Sequence, residues 1–163
     1  IFFPSIEKLW IGVLETFAIG GGCQFILTLD HIIAEKKSYM TLPARKEGII
    51  PGAANLRLWR FLGDRVSRQA IQNGLRINSS DNNGKKICTD IVSPRLIDKT
   101  LLKVVKSYYN SGVIGANYNR RALRSSQETL DEFREYLSYY SHDQAYCHFS
   151  RELIENLERF WKK

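Results

Sequence analysis

Cysteine is scarce in this sequence, and no two cysteines are spaced as zinc ligands usually are. The 163 residues contain three of them, Cys23, Cys88 and Cys147, which lie far apart and form no CxxC pair. An odd number of distant cysteines argues against both a disulfide framework and a zinc site. A chain without such a framework suits a reducing compartment, so we expect a cytoplasmic protein.

Long apolar runs and long basic runs are also missing. No stretch reaches the length of about 18 apolar residues that a membrane span needs, and no signal peptide is apparent, so we expect no membrane partner. Lysine and arginine number 24 against 17 acidic residues, a net charge of +7, but no five of them are consecutive. The surplus favours an anionic partner, whereas a scattered, solvated surface explains it equally well. No RNA-binding motif is present, so nucleic acid is not expected.

Two nucleotide-binding motifs and a common metal motif are absent. Residues 19–24 read IGGGCQ, which is not the GxGxxG of dinucleotide-binding folds, and no GK[ST] follows. The three histidines, His31, His142 and His148, are scattered and form no facial triad. The sequence therefore predicts no metal site and no resident cofactor.

Strand patterns and helix patterns alternate along the first part of the chain. Apolar runs and alternating patterns predict strands, and apolar residues at helical spacing predict helices. The predicted strands are 9–16, 31–37, 38–42, 75–78 and 87–93, and the predicted helices are 22–30, 53–62, 65–74, 94–109, 117–126, 129–149 and 151–163. We predict an α/β layer over residues 1–93 and an all-helical extension over residues 94–163.

The ends of several helices carry recognisable signals. We expect Gly63 to end the helix 53–62, Asp64 to cap the next helix, and Gly74 to end that one. Thr129 followed by Glu132 is a capping-box pattern. The segments 43–54, with two prolines and two glycines, and 79–86, which is polar, are predicted as a loop and a turn.

The helical extension is rich in aromatic side chains. Such a surface is often an oligomer interface, although the same rings could pack within their own domain. The residues are Tyr108, Tyr109, Tyr136, Tyr139, Tyr140, Tyr146, Phe149, Phe160 and Trp161.

Three consecutive glycines stand between a predicted strand and a predicted helix, in the stretch FAIGGGCQ of residues 17–24. Each ordered glycine costs conformational entropy, which suggests that the backbone itself is used here. Unhindered amides at a helix start receive negative charge, either a phosphate or an oxyanion that forms during chemistry at a carbonyl. The glycines alone are also compatible with a tight strand-to-helix turn.

The sequence around the glycines resembles the central signature of the crotonase (enoyl-CoA hydratase/isomerase) superfamily. Four elements occur in order: AIGGGC, LxxDxxIA at residues 27–34, GIIPGAAN at 48–55, and LxRxxGxxxxxQAIxxG at 58–74. The resemblance is close from Phe17 to Gly74 and looser elsewhere. It implies a ββα spiral fold, an acyl-CoA substrate, a trimer or a dimer of trimers, and an oxyanion hole of two backbone amides. By motif position, Gly21 supplies one of them, and the other lies upstream of Ile1.

Both general acid/base carboxylates of the hydratases in this superfamily are replaced. Gln24 follows GGGC where the hydratases have glutamate, and Ala44 follows Pro43 where they have the second one. Neither an amide nor a methyl group exchanges protons near neutral pH. Hydration of an enoyl-CoA is therefore not expected.

GGGCQ together with LPARKEGIIPGAANLRL resembles one branch of the superfamily, the 3,5-dihydroxyphenylacetyl-CoA 1,2-dioxygenases of glycopeptide-antibiotic pathways. That resemblance implies an oxygenase without metal or organic cofactor, which forms an enolate, lets it react with O2, and releases CoA and an arylglyoxylate. CoA is then part of the substrate and O2 is a co-substrate. Another acyl-CoA reaction at the same site (isomerase, decarboxylase or thioesterase) and a non-catalytic crotonase-like fragment are the alternatives.

The resemblance also supplies candidate site residues. Gly21 and Gln24 are the candidate catalytic positions, with Gln24 as a hydrogen-bonding group for the substrate or a peroxide. An O2 pocket should be apolar. The positions assigned to the substrate and O2 pocket are Gly20, Gly22, Pro43, Ala44, Ile49, Pro51 and Gly52.

Basic residues near this loop are candidate ligands of the CoA phosphates. Arg45 and Lys46 are assigned to that role. Arg57 and Arg60 either join them or lie on a solvated helix face.

Full superfamily members carry further ββα turns ahead of the GGG strand, and this chain does not show them. We therefore expect residues 1–93 to be the C-terminal part of a spiral core, which needs an N-terminal half to complete the site. Residues 94–163 are expected to be a region for trimerisation and contact with CoA. Neither the acyl group nor the choice between trimer and hexamer follows from the sequence.

The 163-residue chain by itself is predicted to turn over no acyl-CoA, because it would lack one oxyanion-hole amide. A thiol-trapping assay with 3,5-dihydroxyphenylacetyl-CoA checks this. CoA release by the purified chain alone would contradict it.

Overall fold

The computed structural model describes the backbone of residues 8–161 and the side chains of residues 8–159. The described residues form two three-stranded sheets flanked by ten α-helices. The strands are β1 (Ile11–Leu14), β2 (Phe17–Ile19), β3 (His31–Glu35), β4 (Tyr39–Thr41), β5 (Ile77–Asn78) and β6 (Asp90–Val92).

The first four strands join the two sheets alternately. One sheet has the order β1-β3-β6 with parallel pairs, and the other has β2-β4-β5, with β2 and β4 parallel and β4 and β5 antiparallel. The pairs β1/β2 and β3/β4 each add one strand to each sheet and are each followed by a helix, whereas a short helix, Gly84–Ile87, separates β5 from β6. This arrangement confirms the predicted α/β spiral.

β3 is the central strand of its sheet and is covered on both sides. Ile32, Ile33 and Ala34 are all buried, although successive side chains of a strand point to opposite faces. Continuous burial of this kind is typical of parallel strands packed between layers. The core continues from β3 to β4 and to the helices, through Cys23, Leu27, Met40, Leu42, Leu58 and Ala70.

Helices α1 to α6 occupy the connections between the strands. Their bounds are α1 (Gly21–Ile26), α2 (Ala44–Glu47), α3 (Gly52–Arg57), α4 (Trp59–Leu62), α5 (Asp64–Asn73) and α6 (Gly84–Ile87). Gly63 separates α4 from α5, and Gly74, at φ 64°, ends α5 in the left-handed region, as predicted.

Three local predictions were wrong. Asp64 does not cap α5, because Gly63 takes the N-cap position and Asp64, in the first turn, pairs with Arg68 instead. The predicted loop 43–54 contains α2 and the start of α3. The polar turn 79–86 runs into α6 at Gly84, where a Cβ would lie within 2.6 Å of the backbone of residues 78 and 79.

The C-terminal helices are α7 (Ile97–Asn110), α8 (Val113–Gln127), α9 (Leu130–His148) and α10 (Arg151–Trp161), and a 3-10 turn precedes α7. α8 is longer than predicted. The capping box is confirmed: the Thr129 hydroxyl accepts the Glu132 N–H, and the Glu132 carboxylate accepts the Thr129 N–H. α9 therefore has a sharply defined first turn.

Asp30, at the turn before β3, connects the strands with α8. Its carboxylate accepts hydrogen bonds from the backbone N–H of Trp10 at 2.9 Å, from Arg120 Nε at 2.6 Å and from Arg124 Nη2 at 3.0 Å. The side chains of Asp30 and Arg120 are at most one-tenth exposed. The LxxDxxIA aspartate thus holds the helical region against the sheets. The division of the chain at residues 93 and 94 stays a prediction.

The aromatic side chains of the helical region fall into two groups. Tyr109, Tyr139, Tyr146 and Phe149 are exposed, whereas Tyr136 and Tyr140 are half-buried and stack on each other. The side chains of Phe160 and Trp161 lie outside the described residues. Among residues 8–161, no helix has both the length and the apolar character needed to cross a bilayer.

Replacing Asp30 should unfold the protein more easily than replacing an exposed acidic residue. Asp30→Ala leaves two largely buried guanidinium groups without their carboxylate, which we expect to cost about 3–5 kcal/mol in the free energy of unfolding. Asp64→Ala removes an exposed ion pair with Arg68 and should cost at most about 1 kcal/mol. Urea unfolding at pH 7 measures both, and equal losses would contradict the role of Asp30.

Candidate active site

The conformation and the backbone hydrogen bonds of Gly20 fix the glycine-rich turn. Gly20 has φ 55° and ψ −113°, a conformation that L side chains rarely adopt. Its N–H donates to the carbonyl of Thr41 at 3.0 Å, and its carbonyl accepts the N–H of Gln24 at 3.1 Å. The end of β4 and the first turn of α1 therefore hold the turn from both sides.

Gly21 is the first residue of α1, and its N–H has no hydrogen-bond acceptor within the helix. Among the described residues, none accepts a hydrogen bond from the Gly21 N–H. No atom lies within 4 Å of the place that a Cβ of Gly21 would occupy. At Gly22 a Cβ would touch only the Cβ of Ala18, at 3.7 Å. An unpaired amide at a helix start can donate to a negatively charged oxygen, and the open space beside the Gly21 Cα leaves room for one.

The two residues after the glycines, Cys23 and Gln24, lie in different surroundings. Cys23 is fully buried, and burial, with a smaller effect of Cys88, raises the pKa of its thiol to about 12. Cys23 is thus a core residue rather than a nucleophile. Gln24 is half-buried and extends from α1 toward the start of α3.

The segment that carries the other predicted pocket positions is a short helix followed by a turn. Pro43 precedes α2, Ala44 is buried in its first turn, and the Ile49 N–H donates to the Ala44 carbonyl at 2.9 Å. Gly48 ends α2 at φ 86°, and a Cβ there would lie 3.1 Å from Cα of Leu153 in α10. Gly48 is thus required both by its conformation and by the close approach of α10.

Gln24 and Gly52 meet although 27 residues separate them in the chain. A Cβ on Gly52 would lie 3.2 Å from Oε1 of Gln24 and 3.0 Å from Cζ of Tyr140. Pro51 and Gly52 are both buried. The structure therefore brings Gln24 and Gly52 together and adds an aromatic residue of α9 to the same place.

α9 holds the segment 50–52 at two points. The Tyr136 hydroxyl donates to the Gly52 carbonyl at 2.5 Å, and Oε1 of Gln144 accepts the Ile50 N–H at 2.9 Å. Burial raises the pKa of the Tyr136 phenol, which keeps it protonated as a donor. Tyr140 lies between them in the helix, with its ring parallel to that of Tyr136 within 8° at a centroid distance of 6.2 Å.

A buried ion pair fixes the start of α9. Glu128 accepts from Arg57 Nε at 3.0 Å and Nη2 at 2.5 Å, and from Arg60 Nη1 at 2.9 Å. Burial by itself would raise the pKa of Glu128, but the hydrogen bonds and charges of both arginines outweigh it and hold that pKa below its ordinary value. Arg57 also lies over the Phe133 ring at 5.1 Å. Arg57 therefore does not lie on a solvated helix face, whereas its contact with CoA phosphates stays a prediction.

Arg45 and Lys46, the residues of α2 assigned to the CoA phosphates, extend to the C-terminal end of α5. Arg45 Nη1 donates to the Gln72 carbonyl at 2.8 Å, and Nζ of Lys46 would lie 3.4 Å from a Cβ of Gly74. A helix C-terminus attracts cations, which accounts for this position without a ligand. Contact with CoA stays a prediction for both residues.

An apolar groove of about 450 Å³ lies beside β1, β2 and α1. Of the predicted site residues, only Gly22 lines it, together with side chains such as Val13, Phe17 and Phe25. Over residues 8–159, no group of three or more His, Cys, Asp or Glu side chains is placed to hold a metal ion.

The contacts that α9 makes with the segment 50–52 do not follow from the sequence. Tyr136, Tyr140 and Gln144 are spaced by four residues and thus share one face of the helix. That spacing is visible in the sequence, but it does not show which segment the face covers. Tyr136 and Tyr140 were interpreted only as members of an aromatic surface.

Comparison with known proteins gives one consistent family. The family model for enoyl-CoA hydratase/isomerase matches residues 4–147. The (3,5-dihydroxyphenyl)acetyl-CoA 1,2-dioxygenase of Amycolatopsis orientalis is 36% identical over 155 residues, which are 95% of this chain and 35% of that protein. The fatty acid oxidation complex subunit alpha of Idiomarina loihiensis is 30% identical over 64% of this chain and 15% of its own length.

Solved structures agree in fold. The chain matches an enoyl-CoA hydratase/isomerase from Pseudoalteromonas atlantica with a TM-score of 0.89 at 18% identity, over 98% of this chain and 64% of that one. An enoyl-CoA hydratase from Mycobacterium avium subsp. paratuberculosis gives a TM-score of 0.88 at 16% identity, over 98% and 65%. The chain thus spans about a third of the dioxygenase and less than two thirds of these structures.

Glu128→Gln should destabilise the protein at neutral pH and less so in acid. The variant leaves Arg57 and Arg60 without a buried carboxylate, which we expect to cost about 3 kcal/mol at pH 7. Because the folded pKa of Glu128 is lowered, its contribution is complete above the ordinary pKa of 4.5 and is lost as the pH falls through the folded value. The difference in free energy of unfolding between the two proteins should therefore narrow below about pH 4.5.

Urea unfolding at pH 7 and at pH 4 measures this difference. Glu135→Gln, on the exposed side of α9, is the matched control and should change little at either pH. A difference that widens in acid would contradict the assignment.

Proposed function

Because the chain belongs to the enoyl-CoA hydratase/isomerase (crotonase) family, we propose that it is part of an oxygenase that acts on an arylacetyl-CoA thioester. The substrate proposed is 3,5-dihydroxyphenylacetyl-CoA or a close analogue. The products are CoA and an arylglyoxylate, and the enzyme uses neither a metal nor an organic cofactor.

The proposed reaction balances without another reactant. Loss of a proton from the acyl α-carbon gives an enolate, whose negative oxygen is stabilised by backbone amides. The carbanion gives electrons to O2, and a C–O bond forms at the α-carbon. The terminal oxygen of this peroxide attacks the thioester carbonyl, and the C–S bond breaks to release the CoA thiolate. The second α-proton is lost as the O–O bond breaks, which leaves an α-keto carboxylate, and one of the two protons released from the α-carbon protonates the thiolate. Both oxygen atoms enter the arylglyoxylate, and CoA leaves as the thiol.

In this proposal Gly21 supplies an amide of the oxyanion hole. Gln24 donates or accepts a hydrogen bond at the substrate or the peroxide and does not titrate. Gly20 and Gly22 shape the turn. Pro43, Ala44, Ile49, Pro51 and Gly52 contribute the apolar wall that O2 requires.

One observation carries the proposal more than any other. The Gly21 amide is unpaired, and it lies within one helical turn of Gln24, which stands where hydratases of this family have a glutamate. Ala44 replaces the second glutamate. An oxyanion site without a titrating partner suits chemistry driven by an electron-rich substrate. The identity of 36% to a dioxygenase of this type supports the same reaction.

Other acyl-CoA reactions need the same amide but no O2. The similarity to a fatty acid oxidation complex subunit is the observation in favour of this second class, which includes isomerase, decarboxylase and thioesterase activity. Oxygen uptake separates the two classes.

The assembly and setting follow from the family and are also proposals. A homotrimer or hexamer would cover part of the exposed apolar surface of α7 to α9, which includes Leu102, Ile114 and Leu123. An N-terminal half would complete the oxyanion hole. A cytoplasmic location and a place in antibiotic biosynthesis remain predictions.

The full product of the gene should consume one O2 for each CoA released from 3,5-dihydroxyphenylacetyl-CoA. An oxygen electrode and a thiol assay on the same sample measure the ratio. CoA release without oxygen uptake would replace the oxygenase with a thioesterase, and absence of CoA release would contradict the proposal.

Within the same experiment, Gly21→Pro removes the amide N–H. Proline is tolerated at the first residue of a helix. We expect kcat to fall about 10²- to 10³-fold, as for loss of one oxyanion donor. Gly21→Ala keeps the N–H and is the matched control. An equal loss in both variants would contradict the role of the amide.

A further inference from the structure

α9 extends from the helical region to the candidate site and contacts it with three residues one turn apart. Tyr136 bonds to the Gly52 carbonyl and Gln144 accepts the Ile50 N–H, so both ends of the segment 50–52 are tied to the same helix face. Tyr140 lies between these two attachments. Its place relative to Gly52 is therefore determined on both sides.

The side chains of Gln24 and Tyr140 both approach Gly52 at the place where a Cβ would stand. The Cζ atom of Tyr140 lies 3.0 Å, and Oε1 of Gln24 3.2 Å, from the point where a Cβ of residue 52 would be. The Tyr140 ring cannot turn away easily, because it stacks on Tyr136. Gln24 comes from α1 and has three rotatable bonds, so it depends on its surroundings for a single orientation.

We propose that Tyr140 is a positioning residue that fixes the side-chain amide of Gln24 toward the substrate. The inference rests on the proposed function, since it assigns a task to the Gln24 amide. Tyr140 acts by steric confinement: its ring occupies the volume into which the Gln24 side chain would otherwise rotate. The helical region thereby takes part in catalysis as well as in assembly.

Confinement by the ring makes a specific prediction about three variants of the full gene product. Tyr140→Ala should lower kcat for CoA release about 10- to 100-fold with little change in KM, because a misplaced group costs transition-state stabilisation. Tyr140→Phe keeps the ring and should stay within about threefold of the wild type. Tyr139→Ala, at an exposed neighbour on the same helix, should have no effect.

A double-mutant cycle separates positioning from general damage. If Tyr140 acts through Gln24, adding Tyr140→Ala to Gln24→Ala should lower kcat no further. If the losses of kcat in the two single variants multiply in the double variant, Tyr140 acts independently of Gln24. That result would overturn the inference. Thermal melting of each variant shows whether any loss of activity comes from unfolding.

Failure of this inference and failure of the proposed function can be told apart. If the wild type releases CoA without consuming O2, the oxygenase is rejected while the cycle on CoA release still decides the role of Tyr140. If the wild type releases no CoA, the cycle is measured on the Kd of an unreactive thioether analogue of the arylacetyl-CoA. Coupling between positions 24 and 140 supports the inference in either assay, and independence overturns it.

Discussion

The ion pair of Glu128 with Arg57 and Arg60 decides where α9 lies, and the candidate site depends on α9. The pair joins α3 and α4, which follow the pocket segment, to the residue just before the capping box of α9. Both Arg57 and Glu128 are buried, so the loss of either partner would leave a buried charge without its counter-charge and destabilise the fold. With its first turn fixed in this way, α9 places Tyr136, Tyr140 and Gln144 over the segment 50–52. Asp30 does the same for α8, and the helical region is thus attached to the strands through buried carboxylates.

The candidate site presents groups that do not titrate at the two places where hydratases of the family have carboxylates. Family members that hydrate their substrates need carboxylates, whereas this chain presents a backbone amide, a glutamine and an alanine at the matching places. Cys23 has its thiol pKa raised to about 12 and stays inert beside them. Such a site can stabilise negative charge but does not exchange protons at Gln24 or Ala44. It therefore suits a substrate whose own electrons drive the later steps.

Local signals in the sequence were sufficient for most of the fold. Alternating and apolar runs located all strands except the short β2, glycines marked the ends of α4 and α5, and the pair Thr129 and Glu132 predicted the start of α9. The motif order also predicted the family, and it selected Gln24 and Gly52, which the fold brings into contact. The prediction that Asp64 caps α5 was wrong because glycine is also accepted at the N-cap, and Gly63 takes that position. Arg57 looked like a surface residue because its partner, Glu128, lies 71 positions away. The role of α9 was not predictable, since helical spacing defines a face and not its neighbour.

Gly48 has a consequence for how a pocket can change on this scaffold. The backbone of α10 lies directly against it, and α2, which carries Ala44, ends there. Two backbones in contact leave no side chain whose exchange could adjust the gap. A change in the spacing between α2 and α10 then requires a shift of one backbone against the other. The wall that includes Ala44 is in that case constrained by a helix near the carboxyl end of the chain, far in sequence from the glycine-rich turn.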